Sequence, residues 1–434
     1  MSAQLELVDG VAPAPATPLS RSRQTQAFLF GGLLLTLINF SSPAGGVIDI
    51  PVTFFLKNRM HMASNELAVF KLWIGTPLMV GFVFGFIRDR WSPFGRGDRA
   101  HLLVFASTTA AFYGVMALIV PTYWVFLLGI FVATMTFQMV KSAAYGITNS
   151  LAQRHAVSGP MSGIINMASS APDLISFIIG GLLSQTLEGQ GASAAARTLF
   201  LCAAGIMLAI AVMGLTGPKW VFDEARQEPH ATHFLADLKR ISRHWPIYPA
   251  MTIQLLWQFS PATGTVLQYH IVDKLHATDA QWGAWQGIFF GSFLPIYAIY
   301  AFLSRRFTLR VLLWVGFFVA VLQMVPLLIV HDAVGALIVA VPMGLLGAVA
   351  QAALVDLVIR SSPRGLQGTT MLMFYAIYYV SVRFGDLFGT WIYDNHGGFV
   401  PTVVITIIVY AAILPIILLV PKALIATKDG EAIA

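Results

Sequence analysis

The sequence predicts an all-α membrane protein with about twelve transmembrane helices in two pseudo-symmetric six-helix bundles. Three observations predict it. Only 11% of the 434 residues are charged and 57% are hydrophobic, whereas a soluble domain carries roughly 25% charged residues. Twelve stretches are long and apolar enough to cross a hydrocarbon core, which takes about 20 residues of helix. Lys and Arg are also distributed very unevenly between the connecting segments.

The elements follow in chain order. Residues 1–26 are polar and rich in Ala and Pro at the start, without the apolar core of a secretion signal. They are expected to form a disordered cytoplasmic tail. The spans fall at 27–56, 66–87, 100–120, 122–148, 160–186, 197–216, 247–271, 282–303, 311–330, 334–358, 367–392 and 399–420. This gives a first bundle over 27–216, a linker over 217–246, a second bundle over 247–421 and a cytoplasmic tail over 422–434. In the first span, Asn39, Ser41, Ser42, Pro43, Gly45 and Gly46 predict a kinked or locally unwound helix. The seventh is interrupted by Gln254, Gln258, Gln268 and His270. The linker carries Asp223, Glu224, Arg226, Glu228, Asp237, Lys239, Arg240 and Arg243. It is expected to lie along the membrane surface as a short amphipathic helix.

With the N-terminus inside, the cytoplasmic segments hold 19 Lys and Arg and the opposite side holds four, Lys57, Arg59, Arg197 and Lys274. Both termini are therefore expected in the cytoplasm, with a bacterial inner membrane as the location. The net charge of +6 reflects this asymmetry and implies no nucleic-acid partner. The single cysteine, Cys202, excludes a disulfide framework or cysteine metal site within the chain. No phosphate-binding Gly-Lys-Ser/Thr loop is present, so ATP is not expected to drive the protein. The ten histidines are scattered, and His230 and His233 come nearest to a metal-ligand spacing. No catalytic residues, metal or cofactor are expected.

The halves repeat at an offset of 215 residues. Arg59-Met60-His61-Met62-Ala63-Ser64 matches Lys274-Leu275-His276-Ala277-Thr278-Asp279. Phe70 then aligns with Trp285, Phe82 with Tyr297 and Arg90 with Arg305. A weaker echo at 205 pairs Gly163 with Gly368 and Gly180 with Gly385. Two repeated six-helix halves resemble the design of major facilitator transporters, in which the substrate site lies between the halves near the midplane.

Between spans two and three the chain reads Gly85-Phe86-Ile87-Arg88-Asp89-Arg90, then Pro93 and Gly95. A small residue there permits close helix approach, and Pro with Gly suits the turn. The Gly85…Asp89-Arg90 spacing resembles the superfamily's signature. That resemblance implies a cytoplasmic gate in which Asp89 and Arg90 meet the start of span eleven, near Arg364 to Gly368.

Further stretches resemble the folate–biopterin transporter family. These are Phe54-Phe55-Leu56-Lys57-Asn58, Lys71 with Pro77, Gly85, Asp89, Pro93, Phe94 and Gly95, Leu256-Trp257-Gln258-Phe259-Ser260-Pro261, and Ser362-Pro363-Arg364-Gly365-Leu366-Gln367-Gly368-Thr369. Span four departs from that family, with Lys141 to Asn149 where the family has acidic residues. The resemblance implies a secondary active transporter of a small organic solute, a proton-coupled symporter or antiporter working by alternating access as a monomer in the lipid bilayer. The solute is then anionic or heteroaromatic, like a folate or pterin. The rival reading is a non-transporting assembly or carrier factor for pigments or lipids, akin to the light-harvesting assembly branch. Such a factor would open sideways to lipid.

Ionisable residues inside the spans are costly and mark function or structural pairs. They are Asp49, Lys71, Lys141, Asp173, Asp356, Arg383 and Asp386. Asp49 is the candidate for ion coupling. Lys141 shares one helical face with Gln138, Tyr145, Thr148 and Asn149 and is the candidate for an anionic group of the solute. Its alternative is a salt bridge to Asp173 or Asp49. Asn39, Tyr145, Gln254, Trp257 and Gln258 complete the expected substrate-binding set, with Gln286, Gln351 and Asp356 as further cavity candidates. Arg383 and Asp386, three apart, are expected to pair with each other.

Overall fold

A computed structural model describes residues 19–430, apart from 44, 46, 49–51, 53–55, 57–59, 63, 120–121, 189–191 and 228–233. The first half contains α1 (Arg21–Phe40), α2 (Ser64–Met79), α3 (Gly81–Arg90), α4 (Asp98–Leu118), α5 (Tyr123–Arg154), α6 (Ser158–Glu188) and α7 (Ala192–Thr216). Two short helices follow, α8 (Lys219–Arg226) and α9 (Phe234–Arg243). The second half contains α10 (Ile247–Gln258), α11 (Thr265–Tyr269), α12 (Asp279–Arg306), α13 (Leu309–Ala320), α14 (Ala333–Ser361), α15 (Gln367–Asn395), α16 (Phe399–Ala411) and α17 (Ile413–Ile417). A last turn, α18, covers Lys422–Ile425.

Local chemistry explains the breaks. The first helix starts at Arg21 rather than 27, where the Ser20 hydroxyl accepts from the Arg23 N–H. It ends at Phe40, and the Ser41 hydroxyl turns back to donate to the Leu37 carbonyl at 2.8 Å. Span two divides at Val80, just after Pro77, whose ring and missing N–H weaken the ladder there. The turn between α3 and α4 places Phe94, Gly95 and Gly97 in the left-handed region, with φ of 54°, 64° and 65°.

The predicted seventh span is broken after Gln258. Gly264, with φ +62°, starts the second piece. A Cβ there would lie 2.6 Å from the Asp386 carboxylate. Asp386 accepts from the Thr265 N–H at 2.7 Å and the Thr265 hydroxyl at 2.9 Å, so it caps α11. This corrects the expected Arg383–Asp386 pair: the carboxylate serves the unsatisfied amides of a broken helix, and Arg383 is exposed.

Among the described residues, eight helical stretches are long and apolar enough to cross a membrane. The broken α10–α11 and the helices α1, α6 and α15 are not among them. Those elements carry Asn39, Asn166, Asp173, Gln254 and Asp386. Phe302, Phe318, Phe384 and Leu387 are each more than 60% exposed, which matches a hydrocarbon solvent.

The 215-residue repeat extends to backbone detail. His61 and His276 both adopt left-handed φ, 51° and 55°. Around them the Met62 N–H donates to Leu56 O and the Ala277 N–H to Ile271 O, each at 3.1 Å. The same turn therefore precedes span two and span eight. The packing follows the same relation. Helix α3 lies against α15, and α6 lies against α12, which are equivalent pairs when the halves are exchanged. The fold is two pseudo-symmetric helical bundles meeting along these pairs.

A left-handed conformation costs a non-glycine residue roughly 1–2 kcal/mol. His276 is exposed, so His276→Gly is expected to leave thermal stability unchanged or raise it by up to about 1 kcal/mol. His276→Val is expected to lower it by about 1–2 kcal/mol, because a β-branched residue fits that φ poorly. Melting of the purified variants in detergent checks both.

Candidate functional site

The end of the molecule that carries the Arg-rich loops is closed by contacts between the halves. Asp89 is buried at the end of α3. Its Oδ2 accepts from the Thr369 N–H at 2.9 Å and the Thr369 hydroxyl at 2.7 Å, which caps the N-terminus of α15. A carboxylate is favoured there by the helix dipole and the free amides. Its Oδ1 pairs with Arg88 at 2.6 Å, and Arg88 also donates from Nε to Asp98 at 2.7 Å. Space for this cluster is made by glycines. A Cβ on Gly85 would run into the Thr369 and Gly368 backbone, and one on Gly146 into the Arg88 guanidinium. Arg90 is exposed, so the guanidinium in the cluster belongs to Arg88.

More bonds cross between the halves at the same end. Gln153 donates to Ile359 O at 2.6 Å and Ser362 O at 2.7 Å, and accepts from Gln367 at 3.1 Å. Asn149 donates to the Ser362 hydroxyl at 3.1 Å. The Ser162 hydroxyl donates to Ala352 O at 2.5 Å. The linker helices lie over this region. Arg240 of α9 donates to Arg364 O at 3.0 Å, and Ile241 packs with Phe86 and Leu366.

Deeper in the membrane, Lys141 is buried in the middle of α5. Its ammonium lies 4.3 Å from the Tyr375 ring centroid, 5.6 Å from Tyr379 and 5.8 Å from Tyr145. Rings at this range attract a cation through their quadrupoles. The Tyr145 hydroxyl donates to that of Tyr375 at 2.8 Å, linking the two halves, and Ser169 and Asn39 lie near Tyr145. Asp173 is the carboxylate whose charge Lys141 feels, although the two form no ion pair within 4.0 Å among the described residues.

The predicted residues on span seven form a second cluster. Trp257 donates from its indole N–H to Gln351 Oε1 at 2.8 Å, and Gln258 reaches the same atom at 3.5 Å. Gln351 donates in turn to Asn166 of the first half at 3.4 Å. The Trp257 ring packs edge-on to Phe317 and, tilted, against Tyr410, so the ring belongs to the core of the second half and only its N–H faces the cross-half network. Gln254 is buried with a long bond to Phe374 O, 3.4 Å. Asn39 donates to Ala168 O at 3.1 Å. The structure thus brings Asn39, Lys141 and Tyr145 together and sets Gln254, Trp257 and Gln258 beside a separate hub. Asp49 lies outside the described residues, as do His230 and His233.

Sequence reasoning missed Asn166 and Asp429, which lies in a C-terminal segment that carries no motif. Neither has a local pattern to mark it. Asp173 was legible as an ionisable span residue and a possible salt-bridge partner of Lys141.

No family model matches the chain. A stretch is 32% identical over 146 residues to an endonuclease MutS2 of Solidesulfovibrio magneticus, covering 29% of this chain and 18% of that protein. The chain thus spans under a fifth of the length of the curated relative it matches. Solved structures match over most of the chain. The FucP transporter in its outward conformation aligns at TM-score 0.67 and 16% identity, over 91% of this chain and 99% of its own. The proton:xylose symporter XylE, bound to 6-bromo-6-deoxy-D-glucose, aligns at 0.67 and 14%, over 95% and 99%. The human organic anion transporter MFSD10 aligns at 0.63 and 14%, over 92% and 100%. All three are major facilitator proteins or share that architecture at this TM-score, and the chain has the major facilitator fold.

Asp89→Ala removes the two charge-assisted hydrogen bonds that Asp89 makes across the seam, besides its pairing with Arg88, and is expected to weaken closure of this face by about 2–4 kcal/mol. Gly85→Val is expected to open it for a steric reason. Both should speed hydrogen–deuterium exchange at the start of α15, and equal exchange in wild type and variants would show that the contact does not hold the face shut.

Proposed function

We propose that this protein is a secondary transporter of a small organic anion, working by rocking of residues 27–216 against 247–421 about the linker 217–246. The observation that carries the reading is Lys141. It is an ammonium group at mid-membrane, lined by tyrosines from both halves, with no ion pair among the described residues. A buried cation without a bound partner is costly, and a solute carboxylate or phosphate would supply that partner. The tyrosine rings suit a planar solute with an aromatic part.

The closed, Arg-rich face is the cytoplasmic one on the positive-inside count, 19 against four. Hydrogen bonds between the halves cluster from that face up to the level of Tyr145 and Tyr375. The conformation is accordingly one in which the solute reaches Lys141 from the opposite side. Coupling to protons, which XylE's name describes for that protein, requires a carboxylate within reach of the site. Asp173 holds that position beside Lys141, and Asp49 remains the candidate on span one. A folate-like or pterin-like solute belongs to the same class of planar anions.

The test is binding by purified protein of a panel of planar carboxylates, including folate and pterin carboxylates, read by thermal shift and then by uptake into proteoliposomes. Losing one charge-assisted contact should weaken affinity roughly 10- to 100-fold in Lys141→Gln, with the fold intact. If the variant binds and transports its best anion as the wild type does, Lys141 is a structural charge and the anion reading fails.

A further inference from the structure

The exchange of halves leaves one position that the helices themselves do not fill. Asp89 at the end of α3 caps the start of α15. Its equivalent 215 residues later, in α12, is Ser304, and the equivalent of α15 is α6. Ser304 lies against Gly159 near the start of α6, but its own bond runs to Ala301 O at 3.3 Å rather than to those amides. The carboxylate found there comes from beyond the last helix. Asp429 accepts from the Gly159 N–H at 3.1 Å and the Ser158 hydroxyl at 3.4 Å.

The segment around Asp429 is tied to both halves. The Asp429 N–H donates to Ser304 O at 3.0 Å and the Gly430 N–H to Ala156 O at 3.0 Å. Arg360 of α14 holds the preceding residues, donating to Leu424 O at 3.3 Å and Thr427 O at 3.1 Å. The same guanidinium pairs with Asp356 at 2.8 Å and donates to the Ser158 hydroxyl at 3.0 Å. The chain end therefore sits in the seam that must part if this face is to open.

We propose that Asp429 is a detachable gate carboxylate: residues 422–430 latch α6 to α12 as Asp89 fixes α3 to α15, and the Arg-rich face opens only when this segment leaves. The inference rests on the alternating-access reading. The second gate contact differs from the first in one physical respect. Asp89 is part of a packed helix, whereas Asp429 follows the short turn α18 and belongs to none of the long helices.

The latch is also placed to respond to pH. Facing Asp429 are Asp356 and Arg360 of α14, Arg305 and Tyr300 of α12, and the Ser158 and Gly159 end of α6. Burial first, and then repulsion from Asp356, push the Asp429 carboxyl up to about 7 against the pull of Gly159, Arg360 and Arg305. The docked pKa exceeds that of a free carboxylate near 4, so the docked segment holds its proton more tightly. Docking is firmest at low pH and weakens as pH rises through about 7, by about tenfold between pH 6 and pH 8.

The test measures spin–spin distances in full-length protein carrying Cys202→Ser, Arg96→Cys and Arg306→Cys, which report on the two halves at this face. Wild type should show mostly the short distance at pH 6, with the ratio of open to closed molecules rising up to about tenfold at pH 8. Asp429→Ala, and separately truncation after Ile425, should raise the open population several-fold at both pH values. Asp429→Asn keeps an acceptor without the charge and should stay closed at both. If Asp429→Ala and the truncation match wild type while Asp89→Ala opens the face, the latch is wrong and alternating access stands. If none of these variants yields the long distance, alternating access fails and the latch with it.

Discussion

Two helices from different halves meet at the Arg-rich end with no side chain between them. Gly85 of α3 lies directly on the backbone of Gly368 and Thr369, and everything else at that face depends on this approach. Helices in lipid gain little from apolar contact as such, so close packing through small residues and hydrogen bonds decides where they touch. Close approach brings Asp89 within reach of the free amides of α15. Closure of the α3–α15 seam then sets the spacing at which Gln153, Asn149 and Ser162 find backbone partners across the seam. These contacts are not saturated. Among the described residues, the Ser142 hydroxyl and the Asn149 Oδ1 are buried with no hydrogen-bond partner. An interface that leaves polar atoms unpaired is easier to separate than a fully satisfied one, as a gate requires.

The central cluster follows from the same closure. With the Arg-rich end sealed, the Tyr145–Tyr375 bond joins the halves beside Lys141. Both rings also line the ammonium, so the group that would hold an anion and the bond that joins the halves share residues. Occupation of Lys141 and separation of the halves are thereby mechanically connected. The hub at Gln351, reached by Trp257, Gln258 and Asn166, is a second crossing at similar depth, built from neutral groups. Amides can exchange partners at little electrostatic cost, whereas Lys141 and Asp173 respond to charge.

Much of the fold was legible in the sequence. Hydropathy over windows of about 20 residues reports the environment of a whole helix, and the loop asymmetry in Lys and Arg is cumulative. The 215-residue echo around His61 and His276 marked a real repeat because it lies at a turn, where backbone φ restricts side chains. Asp89 was legible for a similar reason, since glycine and carboxylate spacing expresses a close helix crossing. The predicted partner range ended one residue short of Thr369. Other features depend on tertiary placement that no local pattern encodes. Asp386 was read as the partner of Arg383 three residues away, yet it serves Thr265 across a helix break. Trp257 was read as a cavity residue, yet its ring fills a pocket between Phe317 and Tyr410. Asp429 sits in a short polar tail whose sequence resembles any other.

The central claim is that Lys141 and its tyrosines open to the side opposite the Arg-rich face while that face is shut. The most direct measurement is thiol reactivity in oriented membrane vesicles of a variant with Cys202→Ser and Tyr379→Cys, using reagents that cannot cross the bilayer. The account predicts labelling from the side opposite the Arg-rich loops and little from the loop side, with Asp89→Ala adding reactivity on the loop side. Labelling of the parent variant from the loop side alone, or from neither side, would contradict it.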